Sequence, residues 1–403
     1  MPTPPPLAVA RRLTQLPPYL FAKIDAAKRA AQAAGRDLVD LGIGDPDRPT
    51  PAFILRAMTQ ALRDPANHRY ALDQGMPALR EAIAAWYLRR FNVRLDPHRE
   101  ILPLIGSKEG IAHLPLAFIN AGDQALVPDP CYPPYRTGTI LAGGEPVALP
   151  LTADHGFLPD VVELRRKTTR RTKLLYLNYP NNPTGAVAPP AFFRDIADLA
   201  HRYGFLVAHD AAYSELAFDG TRPPSFLQTP GAKEVGIEFH SLSKTFNMTG
   251  WRIGWVCGNA TAVAALGKVK SNVDSGIFQA IQVAGTAALK APATIMDSLL
   301  TMYQRRRDVL VGGLAACGWP AKPQKATFYV WIRIPKGLRS ADVSERLLNE
   351  AEVVATPGNG FGAAGEGYVR MAITVPEPRL REAVRRIGRL KLWPAPTSRS
   401  ART

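Results

Sequence analysis

The spacing of hydrophobic residues along the chain predicts several helices. From Tyr19 to Ala34 apolar positions recur at helical spacing, and Gly35 is a typical helix stop. The segment from Pro77 to Phe91 places its apolar side chains on one side of a helix. Further helices are predicted after Pro51, after Gly106, from Pro190 to Tyr203, from Gln282 to Leu289, around Met302 and Tyr303, and from Ser340 to Ala351.

Short apolar segments that end in turn residues predict strands between these helices. They are Leu38 to Leu41, Ile101 to Ile105, Ala125 to Val127, Lys173 to Leu177, Phe205 to Ala208, Gly236 to His240, Ile253 to Cys257, Thr327 to Ile332 and Gly367 to Ile373. Because a helix separates the strands at 173–177 and 205–208, these two form a βαβ unit and therefore a parallel pair. The pattern predicts an α/β fold, followed by a second α+β unit near the C-terminus.

Chemically reactive side chains follow several of these strands. In open α/β sheets, ligands bind outside the carboxyl ends of the strands. We therefore expect a single site to contain Asn182, Asp210, Tyr213, Ser241, Ser243 and Lys244.

The stretch from Ser241 to Arg252 carries the most specific chemistry. A buried lysine beside other positive groups loses its proton readily and can then hold an aldehyde as a Schiff base, as Lys244 would. Ser241, Ser243 and Arg252 could bind the phosphate of such an aldehyde. This set indicates pyridoxal phosphate, although the stretch by itself also fits a Ser/Thr-rich loop with a solvated lysine.

The other strand ends fit the same cofactor. Asp210 could keep a pyridine nitrogen protonated, which makes the ring an electron sink. Asn182 and Tyr213 could donate to the phenolic oxygen of the ring. Each residue also has a structural alternative, since Asp210 could cap a helix, Asn182 could lie in a turn and Tyr213 could pack in the core.

Further ligand contacts are expected outside this group. Gly106-Ser107-Lys108 begins a helix, where backbone N–H groups favour an anion. Tyr132 lies on a proline-stiffened loop and either stacks on a flat cofactor or packs in the core. Arg370 interrupts an apolar strand, so it pairs either with an internal carboxylate or with a substrate carboxylate. The glycine-rich segment from Gly42 to Asp47 is either a plain turn or a close approach to ligand.

Composition limits the protein classes that remain. The chain has 403 residues and is 46% hydrophobic, with no apolar run long enough to span a bilayer and no apolar signal core at its start, so we expect a cytoplasmic protein. Its three cysteines show neither metal-ligand spacing nor a disulfide framework. The net charge of +16 suggests nucleic-acid binding as one hypothesis, but the basic clusters lack interleaved aromatic residues. We therefore expect the positive charge to attract anionic substrates instead.

Taken in order along the chain, these motifs resemble the class I/II pyridoxal-phosphate aminotransferases of fold type I. The resemblance runs from about Tyr19 to Leu390 and rests on Tyr70, Gly106-Ser107-Lys108, Tyr132, Asn182-Pro183-Thr184-Gly185, Asp210, Tyr213, Ser241, Ser243, Lys244, Arg252 and Arg370.

This resemblance implies a homodimer whose large domain has a mostly parallel seven-stranded sheet and whose small α+β domain comes from both chain ends. The expected divisions are a disordered tail at 1–18, small-domain segments at 19–50 and 301–392, the cofactor domain at 51–300 and a disordered tail at 393–403. No metal, membrane or nucleic-acid partner is expected.

The resemblance also implies roles for single residues. Lys244 would hold the cofactor covalently and act as the catalytic base, with Asp210 and Tyr213 beside the ring. The phosphate would be held by Ser107, Lys108, Ser241, Ser243, Arg252 and, from the partner subunit, Tyr70. Tyr132 would stack on the ring, and Arg370 would bind the substrate carboxylate.

Within the family, the amino-acid sequence at residues 18–21, 41–47 and 106–113 is most similar to that of the LL-diaminopimelate aminotransferase group. This likeness implies LL-diaminopimelate as donor and 2-oxoglutarate as acceptor, with N-succinyl-diaminopimelate, aspartate or alanine as alternative donors. Residues implied to contact substrate are Tyr19, Gly44, Lys108, Tyr132, Asn182, Asn272 and Arg370, with Ser275 as an alternative to Asn272.

Two other functions use similar parts. A C–S lyase would use the same cofactor for β-elimination. A transcription regulator would place a winged helix before this unit, and the roughly 18 residues before Tyr19 are too few for one. We therefore expect an enzyme.

Overall fold

The computed structural model describes residues 7–17, 20–71, 74–390 and 392. Tyr19 and the tail predicted at 393–403 lie outside these ranges. Of the predicted N-terminal tail, the described part contains one short helix, Arg11–Thr14, and Arg12 Nη1 donates to the carbonyl oxygen of Leu141 at 3.3 Å. This part of the segment predicted to be disordered is therefore ordered and contacts the rest of the chain.

Strands occur along most of the described chain. In chain order they are β1 (Val39–Asp40), β2 (Ile101–Leu104), β3 (Gln124–Asp129), β4 (Glu145–Pro150), β5 (Thr172–Asn178), β6 (Leu206–Asp210), β7 (Gly236–Ser241), β8 (Gly254–Gly258), β9 (Tyr329–Arg333), β10 (Val353–Val354), β11 (Thr356–Pro357) and β12 (Tyr368–Ala372).

The central sheet has seven strands in the order β2-β8-β7-β6-β5-β3-β4. Strands β4, β3, β5, β6 and β7 run parallel, and β8 is antiparallel to both of its neighbours. The predicted mostly parallel α/β sheet is confirmed. Because the parallel strands share one direction, the carboxyl ends of β3, β5, β6 and β7 meet at the same edge of the sheet.

Helices cover the sheet and connect its strands. They are α1 (Arg11–Thr14), α2 (Leu20–Ala33), α3 (Ala52–Ala61), α4 (Pro77–Phe91), α5 (Ser107–Phe118), α6 (Pro134–Leu141), α7 (Val161–Lys167), α8 (Pro190–Tyr203), α9 (Ala232–Val235), α10 (Leu242–Thr245), α11 (Ala260–Ser271), α12 (Gln279–Lys290), α13 (Asp297–Ala316), α14 (Ser340–Ala351) and α15 (Glu377–Arg389). Within the described ranges, no helix is long and apolar enough to cross a membrane.

The core lies on both faces of the central sheet. In β5, Leu175 and Leu177 belong to one apolar cluster, while Leu174 and Tyr176 belong to another. Successive side chains of a strand point to opposite faces, so a strand covered on both sides is apolar throughout. This explains why the sequence shows continuous apolar runs for the central strands.

The two ends of the chain form a smaller unit beside the sheet. Strand β1 pairs in parallel with β10, and β9, β11 and β12 form an antiparallel sheet. Arg386 of α15 pairs with both Asp37 and Glu352, which adds a charged link between the ends. The division into domains stays a prediction, and α13 runs without a break through the boundary placed at 300/301.

Candidate active site

A cleft lies at the carboxyl edge of the central sheet and has a volume of about 160 Å³. It is bounded by the ends of the parallel strands, the start of α5 and strand β12. The residues that line it are Ser107, Lys108, Tyr132, Asn178, Asn182, Asp210, Ala212, Tyr213, Ser241, Ser243, Lys244, Thr249, Arg252, Tyr329 and Arg370. Most residues that the sequence assigned to one site are therefore brought together.

Lys244 lies in α10, directly after β7, with its amine inside the cleft. Its Nζ is 3.2 Å from the carbonyl oxygen of Gly44. Burial lowers the pKa of Lys244 below its ordinary value, and the charges of Arg252 and Arg370 act in the same direction, while Tyr329 and Asp45 oppose them. The surroundings thus favour the neutral amine, which is the form that attacks a carbonyl carbon.

Gly44 is confined by the aromatic residues around it. A Cβ atom at this position would lie 2.2 Å from the hydroxyl oxygen of Tyr329 and 2.6 Å from the Phe328 ring. Only glycine allows its carbonyl oxygen to come so close to Lys244 beside these rings. The backbone of Gly44 therefore lies beside the reactive lysine, and its approach to a ligand stays a prediction.

The start of α5 forms one wall of an anion site. Gly106 has φ 75°, and a Cβ atom there would lie 2.3 Å from Nη2 of Arg252. Glycine therefore lets the guanidinium pass across the helix N-terminus, where Ser107 is the first helical residue. Arg252 Nη1 donates to the carbonyl oxygen of Thr249 at 2.8 Å, which fixes the orientation of the planar group. Helix N–H groups and a guanidinium together suit a phosphate.

Ser241 and Ser243 form the opposite wall. Ser241 caps α10, because its Oγ accepts from the backbone N–H of Ser243 at 3.1 Å. Oγ of Ser243 is buried and has no hydrogen-bond partner among the residues that the structure describes. A buried hydroxyl without a partner is unfavourable, so a ligand acceptor at this point would satisfy it.

Asp210 ends β6 at the floor of the cleft. Its Oδ2 accepts from the hydroxyl of Tyr135 at 2.8 Å, and its Oδ1 accepts from the backbone N–H of Ala212 at 3.2 Å. Burial raises the pKa of the Asp210 carboxyl, and the hydrogen bond from Tyr135 is the largest of the effects that oppose this rise. A buried carboxylate held in this way gains stability from a cationic partner.

Asn182 and Arg370 form the wall nearest to the C-terminal unit. Nη1 of Arg370 donates to Oδ1 of Asn182 at 2.9 Å, and Nη2 donates to the carbonyl oxygen of Gly42 at 2.7 Å. The guanidinium lies 4.0 Å from the centre of the Tyr329 ring and 4.7 Å from that of Phe361. These contacts hold Arg370 rigidly in the wall of the cleft, where the residue is only 1% exposed.

Tyr213 and Tyr132 complete the cleft. The hydroxyl of Tyr213 is 3.3 Å from that of Tyr329, and burial raises the pKa of Tyr213, so it remains a neutral hydrogen-bond donor. Tyr132 packs edge-on against Tyr135 with ring centres 5.8 Å apart. Lys108 lines the cleft one residue after Ser107.

Among the described residues, Tyr70 and Asn272 do not line this cleft. Tyr19 lies outside the described residues. Tyr70 is 88% exposed, on a loop held by a hydrogen bond from Gln279 Nε2 to the Tyr70 carbonyl oxygen. Asn272 follows α11 and donates to the carbonyl oxygen of Lys268 at 2.8 Å. Within one chain neither Tyr70 nor Asn272 lines the cleft, and their roles stay predictions.

The structure adds residues that sequence reasoning did not assign, among them Tyr135, Tyr329 and Asn178. Tyr135 and Tyr329 contact Asp210 and Tyr213 respectively. Asn178 Nδ2 donates to the carbonyl oxygen of Asp210 at 2.8 Å, and its Oδ1 accepts from the N–H of Asn182 at the same distance. Only Asn178 had a usable signal, since it directly follows the strand predicted at 173–177 and lies four residues before Asn182.

Taken together, the donors of the cleft fit pyridoxal phosphate. The cleft is lined by an amine of lowered pKa, an orphaned hydroxyl, the N-terminus of α5, an arginine and a buried carboxylate. This set matches an aldehyde, a phosphate and a pyridine nitrogen.

Comparison with known proteins agrees with this chemistry. The family model for aminotransferase class I and II matches residues 36–387. The LL-diaminopimelate aminotransferase of Desulforudis audaxviator is 56% identical over 378 residues, which cover 94% of this chain and 96% of that protein. The LL-diaminopimelate aminotransferase of Moorella thermoacetica is 52% identical over 381 residues, covering 94% and 98% respectively.

Solved structures show the same architecture. BacF of Bacillus subtilis without ligand is 38% identical, with a TM-score of 0.92 over 95% of this chain and 98% of that one. The aspartate aminotransferase of Thermus thermophilus with maleate is 33% identical, with a TM-score of 0.89 over 95% of this chain and 100% of that one. The chain therefore belongs to aminotransferase class I and II, and its cofactor is pyridoxal 5'-phosphate.

Proposed function

We propose that this aminotransferase transfers the amino group of LL-diaminopimelate to 2-oxoglutarate. The observation that carries the proposal is identity of 50–56% with several LL-diaminopimelate aminotransferases over about 94% of the chain. The aspartate aminotransferase of Thermus thermophilus shares the fold at only 33% identity. A donor with two carboxylates also suits a cleft that contains Arg370 and Lys108.

In this proposal each wall of the cleft binds a different part of the cofactor. Ser107, Ser243 and Arg252 bind the phosphate, Asp210 faces the ring nitrogen, and Tyr132 stacks on the ring. Asn182 and Tyr213 donate to the phenolic oxygen. When bound, pyridoxal phosphate supplies an aldehyde for covalent attachment of amines and a ring that withdraws electrons from the carbon beside the nitrogen.

The chain's own groups then act on the substrate. Arg370 binds the α-carboxylate, and its contacts with Asn182 and Gly42 fix the orientation of the amino acid. Nζ of Lys244 removes the proton from the α-carbon, because its lowered pKa leaves the amine able to accept one. Tyr329 packs on the Arg370 guanidinium and restricts its movement, with 4.0 Å from the guanidinium to the ring centre.

We also propose that the enzyme acts as a cytoplasmic homodimer, with Tyr70 reaching the phosphate of the partner subunit. The support is the exposure of Tyr70 on a loop tied to α12, together with its absence from the cleft of its own chain.

A donor panel tests the proposed substrate. We expect purified enzyme with 2-oxoglutarate to form glutamate faster from LL-diaminopimelate than from N-succinyl-diaminopimelate, aspartate, alanine or cystathionine. Formation of pyruvate and ammonia from cystathionine without glutamate would instead identify a C–S lyase. A higher kcat/KM with aspartate than with LL-diaminopimelate would replace the proposed donor.

Replacement of Tyr70 by phenylalanine should weaken cofactor retention. Loss of a hydrogen bond to a charged phosphate costs about 1.5–3 kcal/mol, so the Kd of the apoenzyme for pyridoxal phosphate should rise at least about tenfold. Fluorescence titration of the apoenzyme measures this constant.

Subunit mixing tests whether Tyr70 acts across the dimer. A hybrid of Tyr70→Phe and Lys244→Ala subunits contains one site with both native residues only if Tyr70 belongs to the partner's site. We expect that site to retain cofactor as the unmodified enzyme does. A hybrid without any tightly binding site would place Tyr70 in the cleft of its own chain.

A further inference from the structure

A buried carboxylate lies behind the candidate active site. Glu238 in β7 is 0% exposed, and each of its oxygens has two hydrogen-bonding neighbours. Oε2 lies 2.8 Å from His209 Nδ1 and from the backbone N–H of Phe226, and Oε1 lies 2.8 Å from the hydroxyl of Tyr87 and from His240 Nε2.

Four donors satisfy an ionised carboxylate completely, since it can only accept. Burial opposes ionisation of Glu238, but the hydrogen bonds from His209 and His240 outweigh it and hold the pKa of Glu238 far below its ordinary value. The negative charge of Glu238 is therefore a fixed feature of the interior.

The hydrogen bonds of His209 require a positive charge opposite Glu238. Its Nδ1 faces the Glu238 carboxylate, and its Nε2 faces the carbonyl oxygen of Tyr179 at 3.0 Å. Both neighbours are acceptors, whereas a neutral imidazole has a single N–H to donate. His209 satisfies both only when each ring nitrogen carries a hydrogen, that is, as an imidazolium.

His240 differs from His209 in this respect. Its Nε2 faces Glu238, but its Nδ1 faces the hydroxyl of Ser214 at 3.5 Å, and a hydroxyl can donate as well as accept. A neutral ring therefore satisfies both contacts of His240. The imidazolium is assigned to His209 alone.

His209 directly precedes Asp210 in β6. Neighbouring strand residues point to opposite faces, so the imidazolium lies behind Asp210 and leaves the front of the carboxylate open to the cleft. Asp210 is itself buried, and burial raises its pKa. The hydrogen bond from Tyr135 is the largest effect that opposes this rise, and the positive charge of His209 acts in the same direction.

We propose that His209, charged and fixed by Glu238, is a positioning residue that keeps Asp210 ionised opposite the pyridine nitrogen of the cofactor. The inference rests on the proposed role of Asp210 and is independent of the amino-acid donor. Through His209, the Glu238 carboxylate thereby influences the protonation of a ring that it does not touch.

The test measures the protonation state of the cofactor's ring nitrogen directly. Holoenzyme is prepared with pyridoxal phosphate that carries the heavy nitrogen isotope in its ring, and the chemical shift of this nitrogen is measured by NMR. His209→Asn removes the charge but keeps an amide that can donate to Glu238. We expect the ring nitrogen to move toward its unprotonated shift, because Asp210 would no longer stay ionised opposite it. The Kd of the apoenzyme for cofactor should rise about tenfold, which corresponds to about 1.4 kcal/mol.

Tyr87→Phe is the matched control. It removes one hydrogen bond from the same carboxylate and leaves His209 charged, so the nitrogen shift should stay that of the unmodified enzyme even if the melting temperature falls. The double variant His209→Asn with Glu238→Gln has no buried charge in this cluster, and its ring nitrogen should also move toward the unprotonated shift. This second variant keeps the test decisive if His209→Asn alone does not fold.

Two results would overturn the proposal. One is an unchanged ring-nitrogen shift in every folded variant that lacks the His209 charge. The other is a change in Tyr87→Phe as large as that in His209→Asn, which would reduce the cluster to a structural role. Asp210→Asn distinguishes failure of the His209 proposal from failure of the proposed site. If Asp210 faces the ring nitrogen, this variant should move the nitrogen toward its unprotonated shift even with His209 charged.

Discussion

Replacement of Lys244 by alanine should abolish transamination with every amino-acid donor and remove the visible absorption of the bound cofactor. The structure gives the reason, because Lys244 supplies a buried amine of lowered pKa at the junction of β7 and α10. Alanine can neither hold the aldehyde covalently nor remove a proton from the substrate. Steady-state assays and absorption spectra of the purified variant measure both effects.

Two variants control for effects of side-chain length and folding. Lys244→Arg keeps a long side chain at this position but lacks a nucleophilic amine, and it should be as inactive as the alanine variant. Lys233→Ala removes a lysine that pairs with Glu100 far from the cleft, and it should keep full activity and the visible band. Turnover at a normal rate by Lys244→Ala would refute the assignment of the active site.

Helices with clear end signals could be predicted from the sequence with their observed bounds. The helices Pro77–Phe91, Pro190–Tyr203 and Ser340–Ala351 are examples. The first two begin with proline and are followed by a residue of left-handed conformation, Asn92 or Gly204. Local chemistry therefore determines where these helices begin and end.

Elements without such signals were not predicted. Strand β4 lies at the edge of the sheet and is mostly half-buried, so its apolar pattern is weak. Helix α7 has only seven residues and presents one buried side chain, Leu164. Helix α15 was missed although its buried residues Leu380, Ala383 and Ile387 do follow helical spacing.

The strand-end rule predicted which residues lie together in the cleft. Asn182, Asp210, Ser241 and Lys244 lie in one cleft, as their positions at or just beyond the ends of β5, β6 and β7 predict. Contacts between distant segments could not be predicted in this way. Tyr135 and Asp210 are 75 residues apart, and Tyr213 and Tyr329 are 116 residues apart, so nothing in the local pattern connects them.

Replacement of Arg370 by alanine should lower kcat/KM for amino-acid donors about a hundredfold. Two charge-assisted hydrogen bonds to a carboxylate are worth about 2–3 kcal/mol of transition-state stabilisation. Arg370 is already fixed by Asn182, Gly42 and the Tyr329 ring, so little further ordering is needed when the carboxylate binds. The variant also leaves the Asn182 and Gly42 oxygens without this donor, and its melting temperature should be measured alongside its kinetics.

A comparison of substrates isolates recognition of the carboxylate. The unmodified enzyme should prefer an amino acid over the corresponding amine that lacks the α-carboxylate, and this preference should disappear in Arg370→Ala. Arg306→Ala is the matched control, because Arg306 is also buried but its guanidinium already binds both oxygens of Asp47. We expect that variant to lose stability and keep the preference. An unchanged preference in Arg370→Ala would return Arg370 to a structural role, in which it holds Asn182 and Gly42.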